Sequence, residues 1–129
     1  MLVAVGLVGC GHGTSGERSQ LVDVTWQLQA IERDSGEVVP AGDPARYTVR
    51  FGADGRLDAR SDCNLCNGGY TADGTALAIG PLACTRAACA PGSLDGAYEA
   101  ALSAVSSFSV AGGELVLAFA GGRLRYRAP

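Results

Sequence analysis

The chain has 129 residues, with 10 basic and 13 acidic side chains and a net charge of −3. That length suits one domain with a modest core. The two signs of charge are interspersed, with no basic run and little aromatic interleaving, which argues against a nucleic-acid partner.

The first segment, MLVAVGLVGC, holds small and apolar residues up to Cys10. It is too short to span a bilayer, which needs about 20 apolar residues, and fits the apolar part of an export signal. Leu7-Val8-Gly9-Cys10 resembles the lipobox of bacterial lipoproteins, in which the cysteine takes a diacylglycerol and becomes the new N-terminus. No Lys or Arg precedes it, where a signal's basic region would stand. The expectation is export, with Cys10 lipidated and residues 1–10 forming the signal segment. Residues 11–20 are Gly- and Ser-bearing and read as a flexible tether. Their Gly11-x-Gly13-x-x-Gly16 has dinucleotide-loop spacing but lacks a strand before it and a helix after it.

From residue 21 to 129 the pattern is mainly period two. VDVTWQLQAI places Val22, Val24, Trp26, Leu28 and Ala30 on one face of a strand. ERDSGEVVPAGDPA follows as a polar loop. RYTVRF and RLDAR form a hairpin across Asp54-Gly55, read as a type I′ turn. GYTADGTALAIG repeats the device at Asp73-Gly74. SLDGAYEAALSAV breaks the rhythm: Leu94, Ala97, Tyr98, Ala101, Leu102 and Val105 share a helical stripe, capped by Ser93, over about residues 93–106. SFSVAGGELVLAFAGGRLRYRA holds three more strands, separated at Gly112-Gly113 and Gly121-Gly122. The expected fold is mainly β, a small antiparallel barrel or strongly curled sheet of about eight strands. The one helix would plug an end or cover an open side.

Cys63, Cys66, Cys84 and Cys89 form an even set, which an oxidising compartment turns into disulfides. Local pairing closes short loops worth roughly 2 kcal/mol each, and nested pairing closes loops worth roughly 3–3.5 kcal/mol each. Nested bridges also suit two antiparallel segments, provided a turn or bulge around Asn64-Leu65 re-aims one cysteine. A zinc ribbon is disfavoured by the C-x₄-C spacing of the second pair. A thioredoxin-like dithiol lacks a βαβ setting. The only histidine, His12, lies in the tether, so the domain offers no Ser-His or Cys-His nucleophile and no His-bearing metal triad. Asp58 and Asp62 flank Arg60 on what reads as a solvated strand face, with Arg60, Arg86 and Asp62 as a candidate ion pair. No catalytic, cofactor or metal residue is assigned.

Trp26-x-Leu28, Phe51-x-x-Asp54-Gly55-Arg56, Cys63-Asn64, Tyr70, Leu77-x-Ile79-Gly80-Pro81-Leu82-Ala83, Thr85-Arg86 and Ala88-Cys89 occur in the order seen in META domains. By these residues the chain resembles that family, the HslJ-like bacterial envelope proteins, over nearly all of residues 22–127. Asp62 stands where the family commonly has Gly, and Ala87 where Met is usual. The resemblance implies a compact β-barrel and a pairing of Cys63 with Cys89, leaving Cys66 for Cys84. It brings no agreed catalytic residue. The functional expectation is a non-enzymatic, lipid-anchored monomer in envelope stress or integrity, or in binding an envelope protein. It would sit on the outer membrane facing the periplasm. A carrier of a small apolar ligand in the barrel, or a thiol-disulfide oxidoreductase, are the alternatives.

Overall fold

The computed structural model describes residues 17–129. Among the described residues there are ten strands: β1 (Thr25–Arg33), β2 (Val38–Pro40), β3 (Tyr47–Phe51), β4 (Arg56–Ser61), β5 (Asn64–Asp73), β6 (Ala76–Ile79), β7 (Ala83–Cys84), β8 (Val105–Ala111), β9 (Glu114–Phe119) and β10 (Gly122–Arg127). One main helix, α1 (Asp95–Ser103), lies between β7 and β8. Eight strands close an antiparallel barrel in the order β1-β3-β4-β5-β6-β8-β9-β10, with β10 pairing back onto β1. Closure removes the free edges that an open sheet would expose.

The two extra strands fill places where a long strand outruns its neighbour. β3 covers only Thr25 to Gln27 of β1, and β2 takes Ala30 to Glu32 on that flank. Likewise β6 covers the second half of β5, and β7 takes Cys66 and Asn67. The loop expected over residues 32–45 therefore contains β2 and the start of a 3-10 turn at Pro44–Arg46.

A bulge changes which side chains of β1 face inward. Leu28 pairs with Tyr126 but Ala30 pairs with Arg125, so one extra residue stands in β1. The inward set is thus Trp26, Leu28 and Ile31, with Ala30 only half-buried. Strict alternation had put Ala30 inside; a bulge breaks that parity. Val22 and Val24 precede the strand or sit at its edge and are also half-buried.

The turns differ in type as well. Gly55 has φ +86 but Asp54 does not have positive φ, and Gly55 donates its N–H to the Gly52 carbonyl. This is a three-residue loop with glycine in the left-handed position, not the type I′ turn expected. Gly112 and Gly113, both with positive φ, do form the type I′ pattern between β8 and β9. At the barrel's closing seam a Cβ on Gly122 would collide with the carbonyl oxygen of Glu32. Only glycine lets β10 lie that close to β1.

α1 closes the barrel end where β3 begins and β4 ends. Tyr98, Ala101 and Leu102 are its buried residues. The Tyr98 hydroxyl donates to the Thr48 carbonyl at 3.1 Å and accepts from the Tyr126 hydroxyl at 2.9 Å. Burial pushes both phenols above the usual tyrosine range. Tyr47 meets Tyr98 edge-on at 5.7 Å, and its hydroxyl accepts from the Leu94 N–H. Three details of the expected helix change. Leu94, not Ser93, is the N-cap and no side chain caps the helix, although Ser93 Oγ accepts from the Asp95 N–H in the turn before it; Ala97 is exposed; and Val105 belongs to β8, where a second bulge lets it share the core with Phe108.

The opposite end is closed by residues 17–21, a helical segment whose Leu21 is fully buried. Trp26 Nε1 donates to the Leu21 carbonyl at 3.0 Å, and the Arg18 guanidinium lies 5.9 Å from the Tyr70 ring centre. Residues 17–20, expected as the end of a tether, are therefore packed on the domain. The signal segment 1–10 with Cys10, and tether residues 11–16, lie outside the described residues. Between the two plugs Trp26, Phe51, Tyr98 and Tyr126 fill the interior.

Candidate functional site

The cysteines gather where β4, β5, β7 and the 85–89 loop meet. Cys63 is bonded to Cys89 with Cα atoms 5.6 Å apart, and Cys66 to Cys84 with Cα atoms 4.1 Å apart. Cys66 and Cys84 face each other directly in the β5–β7 register. Re-aiming happens at Asp62-Cys63, the β4–β5 turn, rather than at Asn64-Leu65. Cys63 thus projects from a turn and is exposed, while Cys66 points inward and is buried. The two cysteines of C-x-x-C are held in different bridges, so they do not form the dithiol couple of an oxidoreductase.

Asp62 sits in that turn with φ +57, a left-handed conformation that glycine adopts most readily. This accounts for the glycine usual at that position in the family it resembles. The Asp62 side chain is buried, not solvated, and accepts from Arg46 Nε at 2.7 Å. Arg60 donates instead to the Asp62 backbone carbonyl at 2.9 Å. Among the described residues Arg86 makes no ion pair. The expected Arg60–Asp62–Arg86 set is therefore replaced by an Arg46–Asp62 pair. Sequence reading missed Arg46 because the partners lie 16 positions apart, beyond any local spacing rule.

Hydrogen bonds from Ser93 and then Arg46 hold the Asp62 carboxyl below its ordinary value of 3.8. On the barrel's outer wall Glu32 is lowered from 4.5, mainly by its bond to Arg125. A lowered folded-state pKa contributes stability above the unfolded value, and that contribution is lost as pH falls through the folded one. Denaturant midpoints should hold steady near neutrality and fall below about pH 4.5. In Asp62→Asn the acid-side fall should be shallower; an identical slope would remove Asp62 from this account.

Asn64 organises the remainder. It is buried, with Oδ1 accepting from Thr85 Oγ1 at 2.9 Å and from the Ala87 N–H at 2.8 Å. Its Nδ2 donates to the Ala87 carbonyl at 3.1 Å. Thr85 Oγ1 in turn accepts from the Leu65 N–H at 3.0 Å. One amide thus does for the 85–89 loop what a strand partner does for a strand, satisfying both backbone groups of Ala87. Among the described residues no buried side-chain polar atom lacks a partner. The Cys-Asn…Thr-Arg…Cys series is therefore a lock that fixes this loop on the barrel and holds Arg86 outward. Beside it, between the loop and α1, runs a groove of about 270 Å³ lined by Leu82, Cys84, Thr85, Arg86, Glu99 and Ser103.

These features define a closed, helix-plugged antiparallel barrel whose characteristic residues secure one loop by two disulfides and a buried amide. The chain belongs to the META domain family, whose model matches residues 19–128. It is similar in structure to a protein from Burkholderia xenovorans, with 29% identity, 86% of this chain and 85% of that chain covered, and a TM-score of 0.70. A DUF4847 family protein from Bacteroides vulgatus shares the fold at 15% identity, with 83% and 93% covered and a TM-score of 0.60. Among curated proteins none matches the chain.

Proposed function

We propose that this META domain is a non-enzymatic envelope module, anchored through a lipid on Cys10 to the outer membrane and facing the periplasm. It would act there in envelope integrity or stress by contacting another envelope protein. The sequence Leu7-Val8-Gly9-Cys10 ahead of a Gly/Ser-bearing stretch carries the reading. Two disulfides in a small barrel suit an oxidising compartment. The polar residues Asn64 and Thr85 are engaged in holding a loop, which fits a binding surface better than an active site. That surface presents Leu65, 63% exposed, beside the outward Arg86. Large apolar side chains and arginines are common anchors at protein contacts.

Mass spectrometry of the membrane fraction should find Cys10 carrying a diacylglycerol, and Cys10→Ser should release the protein to the soluble fraction. An unmodified Cys10 in a soluble native protein would end the anchoring proposal.

A further inference from the structure

The groove beside the locked loop has a chemistry that the envelope reading does not use. We infer that the Cys66–Cys84 bridge is a latent zinc site, opened when a dithiol reduces it and completed by Glu99. The sulfurs of Cys66 and Cys84 and a carboxylate oxygen of Glu99 all lie within 4.8 Å of one another. Glu99 follows Tyr98 on α1, and the Tyr98 hydroxyl bonds fix that stretch of helix over the barrel. The two sulfurs come from directly opposed residues of β5 and β7. All three donors therefore ride on packed elements, the arrangement that gives a metal site its precision.

The distances suit the ion. Zn–S bonds of about 2.3 Å and Zn–O bonds of about 2.0–2.2 Å in a tetrahedron put donor atoms roughly 3.5–3.8 Å apart. Once the S–S bond is broken, the two side chains would have to rotate to bring the sulfurs from bonding distance to that span. Two thiolates with one carboxylate favour zinc over magnesium or calcium. Three protein ligands leave a fourth position, which opens on the groove where Cys84 and Glu99 are half-buried.

The steps balance. The attacking dithiol gives up two electrons and two protons and becomes a disulfide, while Cys66 and Cys84 become thiols. Zinc then displaces one proton from each thiol, and two protons leave to solvent. Because the sulfurs cannot ligate as thiolates while bonded to each other, metal binding reports the redox state of this bridge.

The test uses the full chain, reduced anaerobically, freed of reductant and titrated with Co²⁺ and then Zn²⁺. The expected result is one equivalent of Co²⁺ with a sulfur-to-cobalt charge-transfer band and tetrahedral visible bands, both removed by Zn²⁺. The oxidised chain should show neither. Cys63→Ser/Cys89→Ser should keep the band, and Cys66→Ser/Cys84→Ser should lose it. Since even an outer-shell partner is typically worth 10–100-fold in metal affinity, Glu99→Gln should weaken binding by about tenfold or more. An absent band in the reduced chain overturns the site. So does a band that survives loss of Cys66 and Cys84, or an unchanged affinity in Glu99→Gln. If reduction unfolds the chain, recovery of far-ultraviolet circular dichroism on adding Zn²⁺ supports the site, and failure to recover overturns it.

Discussion

Tyr98→Ala is expected to destabilise the domain by about 3–5 kcal/mol, near the top of the range for one substitution. The ring is fully buried and lies against Tyr47 edge-on and Tyr126 tilted, with centroids 5.7 and 6.4 Å away. Alanine would leave a cavity under α1 that rigid strands on every side cannot collapse to fill. It would also take the acceptor from the buried Tyr126 hydroxyl. Tyr98→Phe separates the two contributions, because it keeps the volume and removes only the hydroxyl. It should cost about 1–3 kcal/mol, the range for orphaning a buried polar group. Urea denaturation followed by Trp26 fluorescence measures both variants. Small domains hold only about 5–15 kcal/mol in all, so the alanine variant should lose a large part of its stability. A loss under about 1 kcal/mol would mean that α1 is an attachment to the barrel and not its plug.

The helix illustrates what the chain discloses locally. Its apolar stripe was legible, and so were Tyr98, Ala101 and Leu102 as core residues. Ala97 was not, because the stripe's width depends on how far the barrel mouth reaches. The same division runs through the sheet. Alternation in Tyr47, Val49 and Phe51 gave the inward face of β3 directly, and all three are buried. In β1 alternation failed after Leu28, since the bulge there exists to match β1 to β10, nearly a hundred positions away. β2 and β7 span three and two residues, too short for any period to register.

At the cysteine face, the residue types were legible while two of their geometries were not. The turn at Asp62-Cys63 was invisible because Asp62 is not glycine, yet it holds φ +57. Its compensation comes from Arg46, in a different part of the chain. Asn64 and Thr85 were legible only as a family resemblance. What they do, bracketing Ala87 from both sides, needs the loop to have returned to β5 first.

That distinction between cross-link and lock leads to the second large effect. With the other kept, opening either bridge should destabilise the domain by roughly 2–2.5 kcal/mol, less than the roughly 3–3.5 kcal/mol that sequence separations of 26 and 18 residues would give a lone bridge. Opening both should lose roughly 5–6 kcal/mol, more than the sum of the single losses, because while one bridge stands it still confines the loop that the other closes. These losses arise largely in the unfolded ensemble, which gains freedom when a cross-link goes. The folded loop should then keep its shape as long as Asn64 holds it. Hydrogen exchange at the Ala87 N–H discriminates the two roles. In Cys63→Ala/Cys89→Ala that amide should stay protected relative to neighbouring loop amides, despite the lower denaturation midpoint. In Asn64→Ala, with both bridges intact, it should exchange freely because its acceptor is gone. Thr85 Oγ1 would lose the acceptor for its proton as well, keeping only the Leu65 N–H as a partner. The reverse pattern, protection lost with the cysteines and kept without the amide, would make the disulfide the positioning element and the asparagine a passenger.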